Sequence, residues 1–414
     1  MQNINNIILY LICLIPPALV AGPLIADGFV VLINVLFLYI IFKTKKFDYF
    51  KNKFFVYFFI FYLILIISSL NSENILYSLK SSLPYFRHGV FALSIIYIID
   101  HDKDKFLRIF FKIILITFSV LAFDGLFQYF MGFNILGLHH SHPERITSFF
   151  VQELKLGSFL ARMMPIVIAF LIYFGTNKKY YIFLSVILII LVDILIFISM
   201  ERSAFFLTML SIIFILLFTK KYKLIRLLCF VVSVIIIATL TIKDTALKKR
   251  MFDHPILALT ETFEKKHVLT NVHDSLYRTS FNMFKQNKFL GVGPKMYRKH
   301  SRDERYMVGG SSFNTHPHNT YIQLLAETGL MGFIMFMIFV ITFFYKTIIH
   351  FKNLIFGNNN LLSDFSICIM AAIFINIWPI IPTGNFFNNW ISIVYYLPLG
   401  FYFSTLCQPS KNNI

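Results

Sequence analysis

The chain has 414 residues, of which 57% are hydrophobic and only 14% are charged, and its formal net charge at pH 7 is +18. A soluble domain of this size could not bury so much apolar surface, so the composition excludes an ordinary water-soluble globular protein. Apolar runs of about 17–25 residues recur along the chain and predict an all-α polytopic membrane protein.

The apolar runs predict about twelve transmembrane helices. Residues 1–6 carry no basic side chain and no clear cleavage site follows them, so we interpret the first run as a retained span. The first two runs could instead form a re-entrant pair. We place the spans near residues 5–25, 27–42, 54–70, 85–100, 107–130, 156–174, 181–199, 203–219, 225–242, 320–345, 361–382 and 387–406.

The positions of lysine and arginine predict the orientation of these spans. Seventeen lysines and arginines lie in or beside the short connections that follow the even-numbered spans. The other short connections hold only five such residues. Positively charged residues concentrate in cytoplasmic loops. We therefore predict that both termini lie in the cytoplasm.

The spans divide the chain into three parts: an N-terminal bundle of about nine spans (1–242), a large external loop (243–319) and a C-terminal group of three spans (320–414). The loop carries 14 basic and 7 acidic residues. This excess of positive charge favours an anionic partner such as a phosphate. Attraction to anionic lipid headgroups explains the charge equally well. Nothing in the pattern indicates nucleic-acid binding.

Three arginines far apart in the sequence are predicted on the external side: Arg145, Arg202 and Arg278. Guanidinium groups stay charged and donate to two phosphate oxygens at once, so several converging arginines would hold a diphosphate. The alternative for each is a contact with lipid headgroups.

Arg162 lies near the external end of its predicted span. Ionisable groups inside a membrane are costly and are therefore functional candidates. Arg162 could join the other arginines, or it could form a structural ion pair with Asp124 or Asp193.

The segment His316-Pro-His318-Asn319 comes directly before the tenth predicted span. An imidazole ordinarily titrates near neutral pH and can abstract a proton from a hydroxyl group. Asn319 is a suitable N-cap, which would fix the imidazole of His318 at the end of a rigid helix. His316 is the competing base, and a solvated loop histidine is the alternative for either ring.

Neither a metal nor another cofactor is predicted. His139, His140 and His142 form one external histidine cluster, and His316 with His318 forms another. Zinc sites usually add a carboxylate or thiolate ligand, and the sequence places no cysteine in an external loop. The aspartates between Asp100 and Asp104 alternate with lysines in a short cytoplasmic turn, which indicates a solvated charge run.

These motifs resemble those of the bacterial O-antigen ligases and the related O-antigen polymerases. The matching stretches are His316-Pro-His318-Asn319 with Glu327-Thr-Gly329-Leu-Met-Gly332, Ser275-Leu-Tyr-Arg278 followed by Phe289-Leu-Gly291-Val-Gly293-Pro, Arg202-Ser-Ala, and Arg145-Ile-Thr-Ser-Phe.

The resemblance implies a GT-C-like helical bundle in the bacterial inner membrane, with a helical periplasmic loop that carries the active site. The donor would be a glycan on undecaprenyl diphosphate, and the acceptor would be lipid A–core oligosaccharide or another lipid-linked glycan. Transfer would be inverting and metal-independent. Arg145, Arg202 and Arg278 would bind the diphosphate and His318 would activate the acceptor hydroxyl. The supporting residues would be His316, Asn319, Glu327, Gly291 and Gly293.

Three other functions are compatible with part of the pattern. An O-antigen or exopolysaccharide repeat-unit polymerase would use the same donor. A twelve-span transporter or flippase would have pseudo-symmetric halves, whereas the large loop here separates nine spans from three. A cytoplasmic nucleotide-sugar transferase would depend on the aspartates at Asp100–Asp104.

Overall fold

The computed structural model describes residues 1–139, 145–174, 179–257, 260, 271–309, 312–357 and 362–407, and within them the regular structure is helical. This agrees with the predicted all-α architecture. The helices are α1 (Gln2–Cys13), α2 (Ile15–Ala21), α3 (Pro23–Thr44), α4 (Lys53–Leu70), α5 (Ile75–Ser82), α6 (Phe86–Met131), α7 (Leu156–Phe174), α8 (Lys179–Ile198), α9 (Arg202–Phe218), α10 (Lys223–Lys243), α11 (Thr245–Lys248), α12 (Asn271–Gln286), α13 (Tyr297–His300), α14 (Thr320–Ile355), α15 (Asp364–Asn376) and α16 (Asn389–Tyr402).

Within the described residues, six helical segments are long and apolar enough to cross a membrane, and the bent pair α1–α2 counts as a seventh if its two helices form one span. The pair bends by 50° where prolines begin α2, since proline lacks the amide that would continue α1. Asp102 has non-helical dihedral angles and divides α6 into the fourth and fifth predicted spans. Helices α8, α9 and α15 are apolar but shorter. The count of twelve spans therefore stays a prediction.

Two of the predicted spans differ from the observed helices. The run predicted at 361–382 is helical only as far as Asn376, and residues 377–388 continue as an irregular segment that contains Pro379 and Pro382. Proline cannot donate a backbone hydrogen bond, which ends the helix there. The helix predicted at 320–345 extends to Ile355 and is broken at Gly329.

Hydrogen bonds define two ends of the helix bundle. At the first, which we call the loop end, the N-termini of α7, α9 and α14 lie near the C-terminus of α15 and the described residues of the segment 244–309. At the opposite end, which we call the termini end, the lysine-rich short connections lie beside the first residues of α1 and the end of α14. The bonds at the loop end are Gly157 N to Glu201 (2.9 Å), Arg162 to Asn376, and Asn319 to the Pro379 carbonyl (2.7 Å); those at the termini end are Lys105 to Asn6 (2.5 Å), Lys46 to His101 (2.8 Å) and His350 to the Phe218 carbonyl (2.9 Å).

Buried aromatic and aliphatic side chains fill the bundle, and an ion pair lies among them. The guanidinium of Arg226 donates to both carboxylate oxygens of Asp193 at 2.7 and 3.1 Å, and both side chains are 4% exposed. Removing one partner of such a pair typically costs about 3–5 kcal/mol. Asp193 is therefore engaged by Arg226, and the predicted alternative of an ion pair between Arg162 and Asp193 is wrong.

Candidate active site

Asn319 begins α14 as its N-cap. The side-chain oxygen of Asn319 accepts hydrogen bonds from the backbone amides of Tyr321 (2.9 Å) and Ile322 (3.1 Å). Its amide group donates to the carbonyl of Pro379 at 2.7 Å. These bonds attach the histidine motif both to a helix end and to the irregular segment 377–388.

The two histidine rings lie side by side, with centroids 4.1 Å apart. His316 is buried, and both of its ring nitrogens have partners: the carbonyl of Thr383 at 3.2 Å and the hydroxyl of Thr315 at 2.8 Å. Because a carbonyl only accepts, Nε2 of His316 donates and Nδ1 accepts from Thr315. Burial, followed by the neighbouring His318, lowers the pKa of His316 to about 4, so this ring is neutral at pH 7.

His318 has a different environment. Its backbone is in the left-handed region, with φ of 57°, and its ring is only partly buried. The side-chain amide of Asn314 lies 3.1 Å from Nε2 and donates to it. Burial, and then the charge of His273, lowers the pKa of His318 below its ordinary value. A neutral imidazole whose lone pair meets only an amide donor can exchange that donor for a substrate hydroxyl.

Arg145, Arg202 and a third arginine, Arg250, form what we call the guanidinium cluster. Burial and the positive charges of Arg250 and Arg202 lower the pKa of Arg145. Nε of Arg250 donates to the carbonyl of Met200 at 3.2 Å, in the turn directly before Arg202. Nε of Arg145 is buried and has no hydrogen-bond partner among the described residues. The cluster thus concentrates positive charge and retains an unused donor, as an anion site requires.

The negative charge of Glu201 acts on Arg145, but the carboxylate oxygens of Glu201 accept hydrogen bonds from another part of the chain. They accept hydrogen bonds from the amides of Gly157 (2.9 Å) and Ser158 (3.1 Å) at the N-terminus of α7. Burial raises the pKa of Glu201 to about 7. Glu201 therefore caps α7 and neutralises the cluster only in part.

Arg162 is buried at the loop end. Its guanidinium donates to the side chain of Asn376 and to the hydroxyl of Ser158, and it lies 5.7 Å from the ring centroid of Tyr395. Asp124, its other predicted partner, instead accepts from the amide of Ile135 at 2.8 Å. Arg162 thus joins α7, α15 and α16.

Arg278, the third predicted arginine, has its described ion pair on its own helix and not with the guanidinium cluster. Its side chain is exposed on α12 and pairs with Asp274, one helical turn earlier, at 3.6 Å. On the same helix, the ring of His273 is 6.4 Å from that of His318. The structure therefore brings α12 to the histidine motif, while the guanidinium of Arg278 itself points to solvent.

The glycines hold the loop against a break in α14. Gly291, with φ of 67°, lies so close to α14 that a Cβ atom there would be 2.5 Å from the backbone of Glu327. Gly329 has φ of 61°, and a Cβ atom there would be 2.4 Å from the backbone of Phe289. The amide of Gly293 donates to the carbonyl of Glu327 at 2.9 Å. Close packing of this turn is thus possible only with glycine.

Glu327 is fully buried behind this turn. Its carboxylate accepts from the amide of Tyr297 at 2.9 Å and from the side chain of Gln323 at 2.8 Å. It therefore connects α14 to the N-terminus of α13. Glu327 makes these bonds within the loop packing, away from the histidine rings.

Among the described residues, no group of three histidine, cysteine or acidic side chains is arranged to hold a metal ion. His140 and His142 of the other predicted cluster lie outside the described residues. The arrangement at the loop end offers guanidinium groups, neutral imidazoles and helix N-termini. These groups can bind an anion and accept a proton.

Comparison with known families identifies one match. Residues 184–337 match the family model described as O-Antigen ligase, a range that contains Arg202, Arg250, Arg278 and the whole histidine motif. No curated protein matches the chain. The match, together with the motifs at the loop end, supports assignment of this chain to the O-antigen ligase and polymerase family.

Proposed function

We propose that the protein transfers a glycan from undecaprenyl diphosphate to lipid A–core oligosaccharide, at the periplasmic face of the bacterial inner membrane. The observation that carries this proposal is the guanidinium cluster at the loop end, the same end as His316 and His318. The family match supports an activity of the O-antigen ligase or polymerase type. In this orientation both termini are cytoplasmic, as the distribution of lysine predicts.

The guanidinium cluster would bind the diphosphate of the donor. Arg145 brings a buried Nε that lacks a protein partner, and Arg202 and Arg250 flank it. Each charge-assisted hydrogen bond to a phosphate oxygen contributes roughly 1.5–3 kcal/mol. Arg278 would move from Asp274 to the diphosphate when the donor arrives, and Arg162 would support the site from within the bundle.

His318 would act as the base. The acceptor hydroxyl gives its proton to Nε2 of His318 while its oxygen attacks the anomeric carbon of the donor sugar. The bond from that carbon to the diphosphate breaks, and undecaprenyl diphosphate leaves with the electron pair. Attack opposite the leaving group inverts the anomeric configuration. The arginines stabilise the charge that develops on the departing diphosphate, so no metal is needed for that purpose.

His316 would position His318 and not take the proton itself. Both of its ring nitrogens are already engaged, and its pKa of about 4 makes it a weak base at neutral pH. Its contacts with Thr315 and Thr383 fix the ring against which His318 packs.

A purified transfer assay distinguishes the candidate activities. The full-length protein in nanodiscs receives a lipid-linked glycan donor and either lipid A–core or a second lipid-linked repeat unit, with EDTA present. Glycan on lipid A–core supports ligation, and a longer lipid-linked glycan indicates the polymerase. Donor movement across the bilayer without a new glycosidic bond indicates a flippase and contradicts the proposal.

The guanidinium cluster is tested in the same assay. Arg202→Gln removes a donor from the cluster, and we expect transfer to fall by at least about tenfold. Lys285→Gln is the matched control, because this exposed side chain lies over the ring of Phe281 and forms no ion pair among the described residues. Equal loss in both variants would show that general loop charge, and not the cluster, determines activity.

A further inference from the structure

A polar cavity lies at the loop end, and none of its lining residues belongs to the guanidinium cluster. Its volume is about 250 Å³. It is formed where the N-terminal part of α3, the segment from α5 to α6, the turn after Gly293 and the start of α16 meet. The lining residues are Asp27, Lys80, Ser81, Pro84, Tyr85, Arg87, His88, Lys295 and Asn389.

The charge of the cavity is positive. Three of its lining residues are basic and one is acidic, and the acidic residue, Asp27, is engaged by Arg87 at 2.9 Å and by Asn389 at 3.2 Å. Within the part of the chain that the structure describes, neither Lys80 nor Lys295 forms a salt bridge. Two ammonium groups therefore border the cavity without a carboxylate partner.

His88 supplies an independent indication of a ligand. Its side chain lines the cavity and is 1% exposed, and its Nδ1 has no hydrogen-bond partner among the described residues. The ring is held in place by packing against Tyr85 and Tyr396, with centroids 5.2 and 5.7 Å away. Buried polar atoms in folded proteins nearly always have a partner. A bound group in the cavity would provide it.

The cavity is connected to the histidine motif through the packing of α14. Lys295 follows the turn that packs against α14, the helix that begins directly after the histidine motif. The positive charge of Arg298 acts on both Lys295 and His316. The cavity and His316, the ring that packs against the predicted base, therefore lie within range of the same positive charge.

We propose that this cavity binds a phosphate group carried by the acceptor lipid. This role rests on the proposed function, because a transferase with two lipid substrates binds the donor diphosphate and the acceptor at the same time. The guanidinium cluster serves the donor, and the cavity, with Lys80, Lys295 and the buried His88, serves the acceptor. The ammonium groups and a ring N–H of His88 would donate to phosphate oxygens.

Direct binding of inorganic phosphate tests the site without any catalysis. Trp390 follows the lining residue Asn389, and Trp378 is the only other tryptophan. In a Trp378→Phe background, Trp390 fluorescence is followed during a phosphate titration at constant ionic strength. We expect saturable binding that weakens by about tenfold or more in Lys80→Gln and in Lys295→Gln.

Two controls locate the binding. Lys285→Gln and Arg145→Gln leave the cavity intact, so phosphate affinity in both is expected to equal that of the Trp378→Phe protein. A non-saturable signal, or equal affinity in the Lys80, Lys295 and control variants, would overturn the site. Lys80 is exposed, so its variant stays informative if Lys295→Gln fails to fold.

The role of the site is tested by kinetics. Lys80→Gln is expected to raise KM for a phosphate-bearing acceptor by about tenfold and to leave KM for the donor unchanged. Inorganic phosphate is expected to compete with that acceptor in the unmodified protein. A raised KM for the donor alone, or equal KM values for phosphorylated and dephosphorylated acceptor, would overturn the assignment. If the unmodified protein transfers nothing, the proposed function fails, and the phosphate titration still decides whether the site exists.

Discussion

The backbone amide of Thr383 donates to the carbonyl of His318 at 2.8 Å, and the carbonyl of Thr383 lies 3.2 Å from Nε2 of His316. One residue of the segment between α15 and α16 thus holds both histidines. The histidine motif and segment 377–388 form a single unit. The geometry of the predicted base therefore depends on a part of the chain 65 positions further along.

The pH dependence of transfer is expected to follow His318. Burial and the charge of His273 lower the pKa of His318, so the ring loses its proton below its ordinary value of 6.5. The base must be neutral, so kcat/KM rises with pH through a midpoint below 6.5 and then levels off. In His273→Gln the neighbouring charge is absent, and the midpoint moves to higher pH. A midpoint above 7, or a shift to lower pH in the variant, contradicts the assignment.

The buried carboxyl of Glu201 is expected to make stability depend on pH. Its pKa is about 7 in the folded protein and 4.5 in its ordinary state. Between these values the folded protein binds a proton that the unfolded chain has released, so stability falls as pH rises through this window. Glu201→Gln removes this contribution, and its thermal midpoint in nanodiscs should depend less on pH from 4.5 to 7. Parallel pH profiles for the two proteins would show that Glu201 does not titrate in this way.

Gly291→Ala is expected to destabilise the loop strongly. Both Gly291 and Gly137 have positive φ, 67° and 76°, but a Cβ atom at Gly137 would meet nothing within 4 Å. Gly137→Ala therefore measures the backbone strain alone, about 1–2 kcal/mol. Overlap with α14 should add about 1–3 kcal/mol for Gly291→Ala. Comparable thermal midpoints for the two variants would show that the loop does not pack against α14 as described.

Arg250→Gln is expected to weaken the binding of undecaprenyl diphosphate by about 10- to 100-fold, the loss of one charge-assisted contact. Equilibrium binding to the purified protein measures this effect without an acceptor. Lys285→Gln again serves as the control. Unchanged affinity in Arg250→Gln would remove this arginine from the diphosphate site.

The sequence predicts the helices and their ends better than it predicts which residues contact one another. The N-cap role of Asn319 follows from its position before an apolar run, and the structure confirms it. Their shared side predicts that Arg145, Arg202 and Arg278 converge; in the structure the charge of Arg202 acts on Arg145, whereas Arg278 pairs with Asp274. Arg250 was missed because it ends the run Lys248-Lys249-Arg250, which has the composition of a solvated loop.

The sequence carries no pattern that predicts which distant segments contact one another. Thr383 lies at the end of an apolar run that resembles a continuous span, and only the two prolines near it indicate an irregular segment. For Arg162 the sequence leaves two alternatives open, a place among the other arginines or an ion pair, because its neutral partner, Asn376, carries no charge that a pattern could indicate. The cavity residues Lys80 and Lys295 are 215 positions apart, so only folding brings them together.

The most direct test of the account compares binding and chemistry in His318→Gln. With purified protein, a lipid-linked donor and an acceptor, single-turnover transfer is measured beside donor affinity. We predict that His318→Gln binds the donor as the unmodified protein does but transfers glycan at least about 100-fold more slowly, since general-base catalysis contributes roughly that factor or more. Transfer at the unmodified rate would contradict the central claim that this imidazole activates the acceptor.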